Sequence, residues 1–365
     1  MDVLLGIGTR KGLFLARSTD GRASWTVSPP QFPVADVKAL GIDTRRATPR
    51  LLAGVLNSHF GPTLVSSDDL GHTWTEPDDA PLAFPDYTDA ALQGVWQITP
   101  ATAAEPEVVY AGVEPSALFR STDGGKNFTL VRGLWDHPHR PQWEPGGGGL
   151  ALHTVLPHPT DTQRLAVAMS TGGVYQSADG GASWQPTNTG VTADFLPGEL
   201  PEWGQCVHKV ARDAETPSTL YLQNHGGVFR SIDDGATWQS IDAGLPPSNF
   251  GFPILAHPRR PGTVYTFPLV ADMDRFRFPS DATCAVYRSD DAGETWSAET
   301  DGLPTVPFWA AVMRDALCAD DADPTGIYFG TRNGEVYCSP DDGDHWHLVA
   351  DKLPDVLCVR AAVVG

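Results

Sequence analysis

One eight-residue pattern occurs seven times along the chain, and it restricts the possible folds more than any other feature. The pattern is S-x-D-x-G-x-[T/S]-W. It stands at 18–25 (STDGRASW), 67–74 (SDDLGHTW), 121–128 (STDGGKNF), 177–184 (SADGGASW), 231–238 (SIDDGATW), 289–296 (SDDAGETW) and 339–346 (SPDDGDHW). The closing aromatics are 49 to 58 residues apart, a period expected of repeats built from small β-sheets. Each copy follows a short β run, such as Val228-Phe229-Arg230, and precedes another. The pattern therefore predicts a hairpin loop between two strands. Its Gly supplies a left-handed turn residue, its Asp caps nearby N–H groups, and its aromatic re-enters the sheet as an apolar plug. Seven equivalent carboxylates serve the fold rather than a reaction.

The chain has 37 Gly and 32 Pro among 365 residues. So many turn formers, with few long helical periods, argue for an all-β protein. A closed propeller is the way one domain reaches this length. The expectation is a single seven-bladed β-propeller over 1–365, four strands per blade, with the repeated loop joining third and fourth strands. Second strands are expected at 51–55, 108–112, 165–168, 219–222, 263–266 and 326–329. First strands are expected at 37–42, 94–99, 150–156, 206–211, 251–256 and 309–314, several ending in His-Pro or a charged turn. No first strand precedes 3–8, and a spare strand remains at 356–364. That C-terminal strand is expected to become the innermost strand of blade one, closing the ring and removing an exposed edge.

The motif residues resemble the Asp-box, or bacterial neuraminidase repeat (BNR), family. That family includes sialidases, xyloglucan-degrading glucanases, sortilin-type receptors and a photosystem II assembly factor. All seven motifs take part, and the repeats cover nearly the whole chain. Arg22, in place of Gly, and Phe128, in place of Trp, depart from the pattern. The resemblance implies a propeller that is sialidase-like or glycosyl-hydrolase-like. A sialidase would bring an arginine cluster, for which Arg10, Arg332 and Arg360 are the candidates, but the Arg-Ile-Pro motif of that family is missing.

A net charge of −20 argues against nucleic acid and anionic membrane as partners. The start of the chain lacks a basic leader with a long apolar core, and no run reaches transmembrane length. The five cysteines show no C-x-x-C spacing. Reduced thiols in a cytoplasmic protein are the expectation.

Three long segments, 132–149, 188–204 and 267–283, interrupt the regular spacing. They are expected on the face opposite the repeated loops, around a central hole. Trp135, Trp143, Trp203 and Trp309 are candidates for a sugar-stacking platform, and Asp272, Asp274, Arg275 and Arg277 for a lid. The starts of first strands and ends of second strands supply the candidate site. Arg10, Asn57, Trp96, Gln205, Asn224 and Trp309 are assigned to ligand binding. His153, His208, Glu114 and Arg332 are assigned to catalysis, since a His with a carboxylate can do acid–base work. His59, His153, His208 and His225 are assigned to a divalent metal, zinc or another first-row ion, because three imidazoles with an open position suit such an ion. The functional expectation is a soluble propeller that binds a small polar, carbohydrate-like ligand, as a metal-assisted or glycosidase-like hydrolase. The alternative is a non-catalytic scaffold presenting its rim to a protein partner.

Overall fold

The computed structural model describes residues 1–77, 79–193, 201–247, 250–271 and 277–365. In chain order the strands are β1 (Val3–Thr9), β2 (Gly12–Ser18), β3 (Thr26–Val27), β4 (Ala35–Asp43), β5 (Arg50–Asn57), β6 (Gly61–Ser67), β7 (Gly94–Pro100), β8 (Val109–Glu114), β9 (Ala117–Ser121), β10 (Thr129–Leu130), β11 (Leu152–Pro157), β12 (Leu165–Met169), β13 (Gly173–Ser177) and β14 (Gln185–Pro186). They continue as β15 (Val207–Arg212), β16 (Leu220–Asn224), β17 (Gly227–Ser231), β18 (Gln239–Ser240), β19 (Phe250–Ala256), β20 (Val264–Leu269), β21 (Val286–Ser289), β22 (Ser297–Glu299), β23 (Val312–Ala319), β24 (Ile327–Thr331), β25 (Val336–Ser339), β26 (His347–Ala350) and β27 (Val356–Val363). One short helix, α1 (Arg132–Trp135), and two 3₁₀ turns complete the described elements. The protein is all-β.

The chain divides into two compact units. The first comprises Met1–Gln31, Thr189–Leu200 and His208–Gly365, and the second Phe32–Asn188 and Pro201–Val207. The first unit holds the four-stranded antiparallel sheets β15-β16-β17-β18 and β19-β20-β21-β22, and an eight-stranded sheet ordered β26-β25-β24-β23-β27-β1-β2-β3. In the eight-stranded sheet, β23 and β27 meet through one parallel bridge, Asp315 with Cys358. The expected pairing of the last strand with the first is present: β27 runs antiparallel to β1 from Val3–Val363 to Thr9–Val356. The second unit holds β10-β9-β8-β7, β11-β12-β13-β14 and β4-β5-β6. In the last of these the fourth strand is reduced to a bridge between Ser66 and Thr75. The expected strands agree with these positions except the first strand at 309–314, which lies at Val312–Ala319. Arg314, the expected end of that strand, and Asp315 after it are both buried inside it.

All seven repeated loops fold alike. In each, the Ser hydroxyl donates to the Asp and accepts the N–H of the Gly position, as in Ser231 Oγ to Asp233 (2.7 Å) and Gly235 N to Ser231 Oγ (2.7 Å). The Asp then accepts the N–H of the seventh residue and, in five copies, its hydroxyl, as from Thr237 (2.9 and 2.6 Å); Asn127 Nδ2 and His345 Nδ1 take the place of the hydroxyl in the other two. Local side-chain bonds of this kind replace ladder bonds at a turn. The bond from Ser24, with others, holds Asp20 down to about 2, and Ser183 does the same for Asp179. The Gly position has positive φ in every copy, including Arg22 at +76°. Strain at Arg22 is offset by what its side chain reaches. Its guanidinium, 2% exposed, grips Asp320 with Nε (2.9 Å) and Nη2 (2.7 Å) and donates to the Tyr328 hydroxyl (3.0 Å). The closing aromatics differ in depth: Trp184, Trp238 and Trp346 are buried, whereas Trp25, Trp74, Phe128 and Trp296 are partly covered.

Candidate functional site

The first strands β4, β7, β11, β19 and β23 each carry an irregularity that re-aims side chains. Register shifts fall at Val37/Ala39, Val95/Gln97, Leu152/Thr154, Gly251/Ile254 and Val312/Leu317. Such bulges turn a side chain out of strict alternation. Here they release Lys38, Trp96, His153, Arg314 and Asp315.

In the first unit these positions gather charge. Asp315 on β23 accepts Lys209 Nζ from β15 at 2.8 Å, and an ion pair with Arg360 of β27 on the same oxygen. Arg360 Nη1 also donates to the Asp315 carbonyl at 3.1 Å. Burial alone would raise the Asp315 pKa, but the charges of Lys209 and Arg360 outweigh it and hold the carboxyl below its ordinary value. Beside this cluster, His208 of β15 is buried, and its Nδ1–H donates to the Gly251 carbonyl at 2.5 Å. Burial first, then the Arg314 charge, pushes its pKa well down, so it is a neutral imidazole. His225 lies near it, ring centres 5.9 Å apart, and both rings meet Phe250 edge-on. Arg277 sits 4.3 Å over the Phe250 ring, a cation–π contact.

The other first-unit candidates sit at strand ends. Arg10 Nε (3.0 Å) and Arg332 Nε (2.8 Å) bind the two oxygens of Asp355. The sialidase-like trio is therefore split, because Arg10 and Arg332 share Asp355 while Arg360 serves Asp315. Trp309 is 58% exposed, edge-on to Phe278. Asn224 is buried and donates Nδ2 to the Thr192 carbonyl at 2.7 Å. Of the expected lid residues, Asp272, Asp274 and Arg275 lie outside the described residues.

In the second unit, Trp96 donates Nε1 to Glu114 at 2.8 Å, and Lys38 lies 4.8 Å from the Trp96 ring. Gly149 lies against Glu114: a Cβ there would stand 2.2 Å from its Oε1. His153 is buried, its Nε2–H donating to the Val207 carbonyl (3.0 Å) and its Nδ1 facing the Thr154 hydroxyl (3.1 Å). Gln205 donates to the Pro201 carbonyl at 2.6 Å. Asn57 accepts the N–H of the exposed His59 at 2.8 Å, closing a turn.

The segment at 132–149 differs from its expected position at its start. Helix α1 packs against the repeated loop at 177–184 rather than away from it; a Cβ on Gly133 would meet the Ala182 carbonyl at 2.3 Å. A pocket of about 380 Å³ results, lined by His137, His139, Trp184 and Glu202 among others. His139 stacks on Trp203 at 3.8 Å and reaches the Tyr175 hydroxyl at 3.1 Å. Trp135 and Trp143 are buried in apolar clusters and offer no stacking surface.

Sequence reasoning named His208, His225 and Arg360 but missed Lys209, Arg314 and Asp315. The signal was present as charged residues inside otherwise apolar strand segments, VHKVAR and VMRDALCA.

A family model described as BNR/Asp-box repeat matches residues 287–298. Among curated proteins, xyloglucanase Xgh74A of Acetivibrio thermocellus is 27% identical over 210 residues, 51% of this chain and 23% of that protein. A probable oligoxyloglucan-reducing end-specific xyloglucanase of Neosartorya fischeri is 24% identical over 73% of this chain and 33% of its own length. The chain thus spans 23% to 33% of the length of these relatives. Two solved structures share the fold. An ancestral GH74 enzyme covers 87% of this chain and 39% of its own, at 17% identity and TM-score 0.58. YCF48 bound to D1 peptide covers 88% and 85%, at 13% identity and TM-score 0.55. These neighbours are β-propellers. Among the described residues no helix is long and apolar enough to cross a membrane. The matched repeat is one of seven loops that share the same Ser–Asp bond and left-handed turn residue, and the chain has a propeller-type fold.

Proposed function

We propose that the protein binds a small, hydroxyl-rich, carbohydrate-like ligand on the inner strands of its first unit. In this reading residues 1–365 form one seven-bladed propeller, with the eight-stranded sheet counting as two blades. The observation that carries the proposal is the row of polar side chains His208, Lys209, Arg314, Asp315 and Arg360 on β15, β23 and β27. Fold maintenance alone would favour apolar groups there. The likeness to xyloglucanases supports a sugar as the ligand class. Trp309 offers an exposed ring for stacking, with Arg10 and Arg332 at strand ends as further polar contacts.

Hydrolysis is the activity to test. Ionised Asp315 and neutral His208 supply a base and a proton carrier, and Glu114 and His153 are further candidates. Burial pushes the thiols of Cys284, Cys318 and Cys358 up to about 12, and none of the five cysteines is in a disulfide. A reducing, cytoplasmic setting suits them. The test is reducing-sugar release from xyloglucan and a panel of aryl glycosides. The expected result is turnover that falls about a hundredfold or more in His208→Ala and Asp315→Asn. Turnover unchanged in both variants overturns the assignment.

A divalent metal is a second reading, favoured by one observation. One ligand atom each of Cys206, His208 and His225 lies within 4.8 Å of the others. Elemental analysis showing one equivalent of metal, lost in His225→Ala, supports it; metal-free protein ends it.

A further inference from the structure

The polar cluster of the first unit carries information about the charge of what it binds. Lys209 and Arg360 converge on the same oxygen of Asp315, so two cations stand against one carboxylate. Arg314, the residue before Asp315, adds its positive field to both Lys209 and His208. The second carboxylate oxygen, Asp315 Oδ2, is buried and accepts no hydrogen bond among the described residues. The cations are still within reach of a solute: the Lys209 and Arg360 side chains are 15% and 22% exposed, against 3% for Asp315. A buried carboxylate ordinarily has its lone pairs satisfied. The arrangement therefore offers a hydroxyl acceptor and oxyanion donors side by side. With a net charge of −20, the chain as a whole repels anions at long range. Attraction for one must come from local contact of this kind.

We propose that the inner strands of the first unit recognise a hydroxylated ligand bearing an oxyanion, a carboxylate or a phosphate. The oxyanion is held by Lys209, Arg314 and Arg360, and one ligand hydroxyl donates to Asp315 Oδ2. This inference rests on the reading that these strands bind a small polar ligand, and it adds the charge of that ligand.

The test compares glucose, glucuronate and glucose 6-phosphate by calorimetry on the full-length chain, with inorganic phosphate as competitor. The expected result is that one or both charged sugars bind, at least about tenfold tighter than glucose. Their affinity should fall as salt rises, and inorganic phosphate should compete. The tighter of the two identifies carboxylate or phosphate as the source of the oxyanion. Lys209→Gln should weaken binding of the charged sugar about tenfold and narrow its advantage over glucose. Phosphate competition against the unmodified protein gives the same answer if that variant does not fold. Glucose binding as tightly as both acids overturns the charge assignment and leaves the polar-ligand reading standing. Absence of binding by all three sugars and by phosphate overturns both.

Discussion

Two aspartates five residues apart, Asp315 and Asp320, show how one unit uses the same side chain for opposite ends. Asp320 has every oxygen engaged. Oδ1 accepts Arg22 Nη2 (2.7 Å), Gly326 N (2.9 Å) and Ala322 N (3.1 Å), and Oδ2 accepts Arg22 Nε (2.9 Å) and the Tyr328 hydroxyl (2.6 Å). Its only charged hydrogen-bond partner among the described residues, Arg22, is itself buried. Asp315 has two cations on one oxygen, no hydrogen bond on the other, and partners that keep contact with solvent. The first arrangement is a closed lock between a repeated loop and the neighbouring strands. The second is satisfied only in part, which is the condition for recognising something else. Burial alone does not distinguish them; saturation of the lone pairs does.

The largest effect expected from this contrast is on the lock. Arg22→Gly restores the usual residue at a left-handed position, yet it strands the buried Asp320 carboxylate. A stability loss of about 3–5 kcal/mol is expected by denaturant unfolding, and a neutral or stabilising result would remove Asp320 from its role as a lock. Asp315→Asn should cost less, about 1–3 kcal/mol, because Lys209 and Arg360 can turn to water. Equal costs at the two sites would dissolve the comparison.

A single loop carboxylate should matter less again. Asp233→Asn is expected to lower stability by about 1 kcal/mol, through weaker bonds to Thr237 and Ser231. The pH dependence has a definite sign. Asp20 and Asp179 are held down to about 2 in the folded protein, against about 4 in an unfolded chain. The unfolded chain therefore binds protons first. The loops' contribution is complete above about pH 4 and is lost as pH falls toward 2. Thermal unfolding followed across that range should show the decline in the unmodified protein and a shallower one in a variant lacking both carboxylates. The smallest stability effect is expected at Trp309→Ala, within about 0.5 kcal/mol. That substitution should nonetheless weaken sugar binding roughly three- to tenfold. A change in stability without a change in binding would make Trp309 a packing residue.

The lock and the cluster also differ in how far the sequence discloses them. The seven loops repeat locally, so a count of S-x-D-x-G-x-[T/S]-W positions nearly every third and fourth strand. Arg22 is visible as a departure from that pattern, but its partner is nearly three hundred residues away and follows no repeat. The strand expected at 309–314 runs instead over Val312–Ala319 and carries Arg314 and Asp315 in its interior, a charged pair that no repeat announces. Inside β23, Asp315 is held by Lys209 and Arg360, from strands remote in sequence. His153 carried the same ambiguity. It is buried on an inner strand like His208, yet both its ring nitrogens meet protein groups.

The position of β27 has a consequence for how the protein comes into being. This strand pairs with the β1 edge opposite β2 and also delivers Arg360 to Asp315. During synthesis β1 emerges well before β27, the strand that pairs with it. A molecule that has not acquired β27 exposes an unpaired edge and lacks one of its cations. Cover for the β1 edge and the Arg360 partner of Asp315 therefore arrive with the same strand.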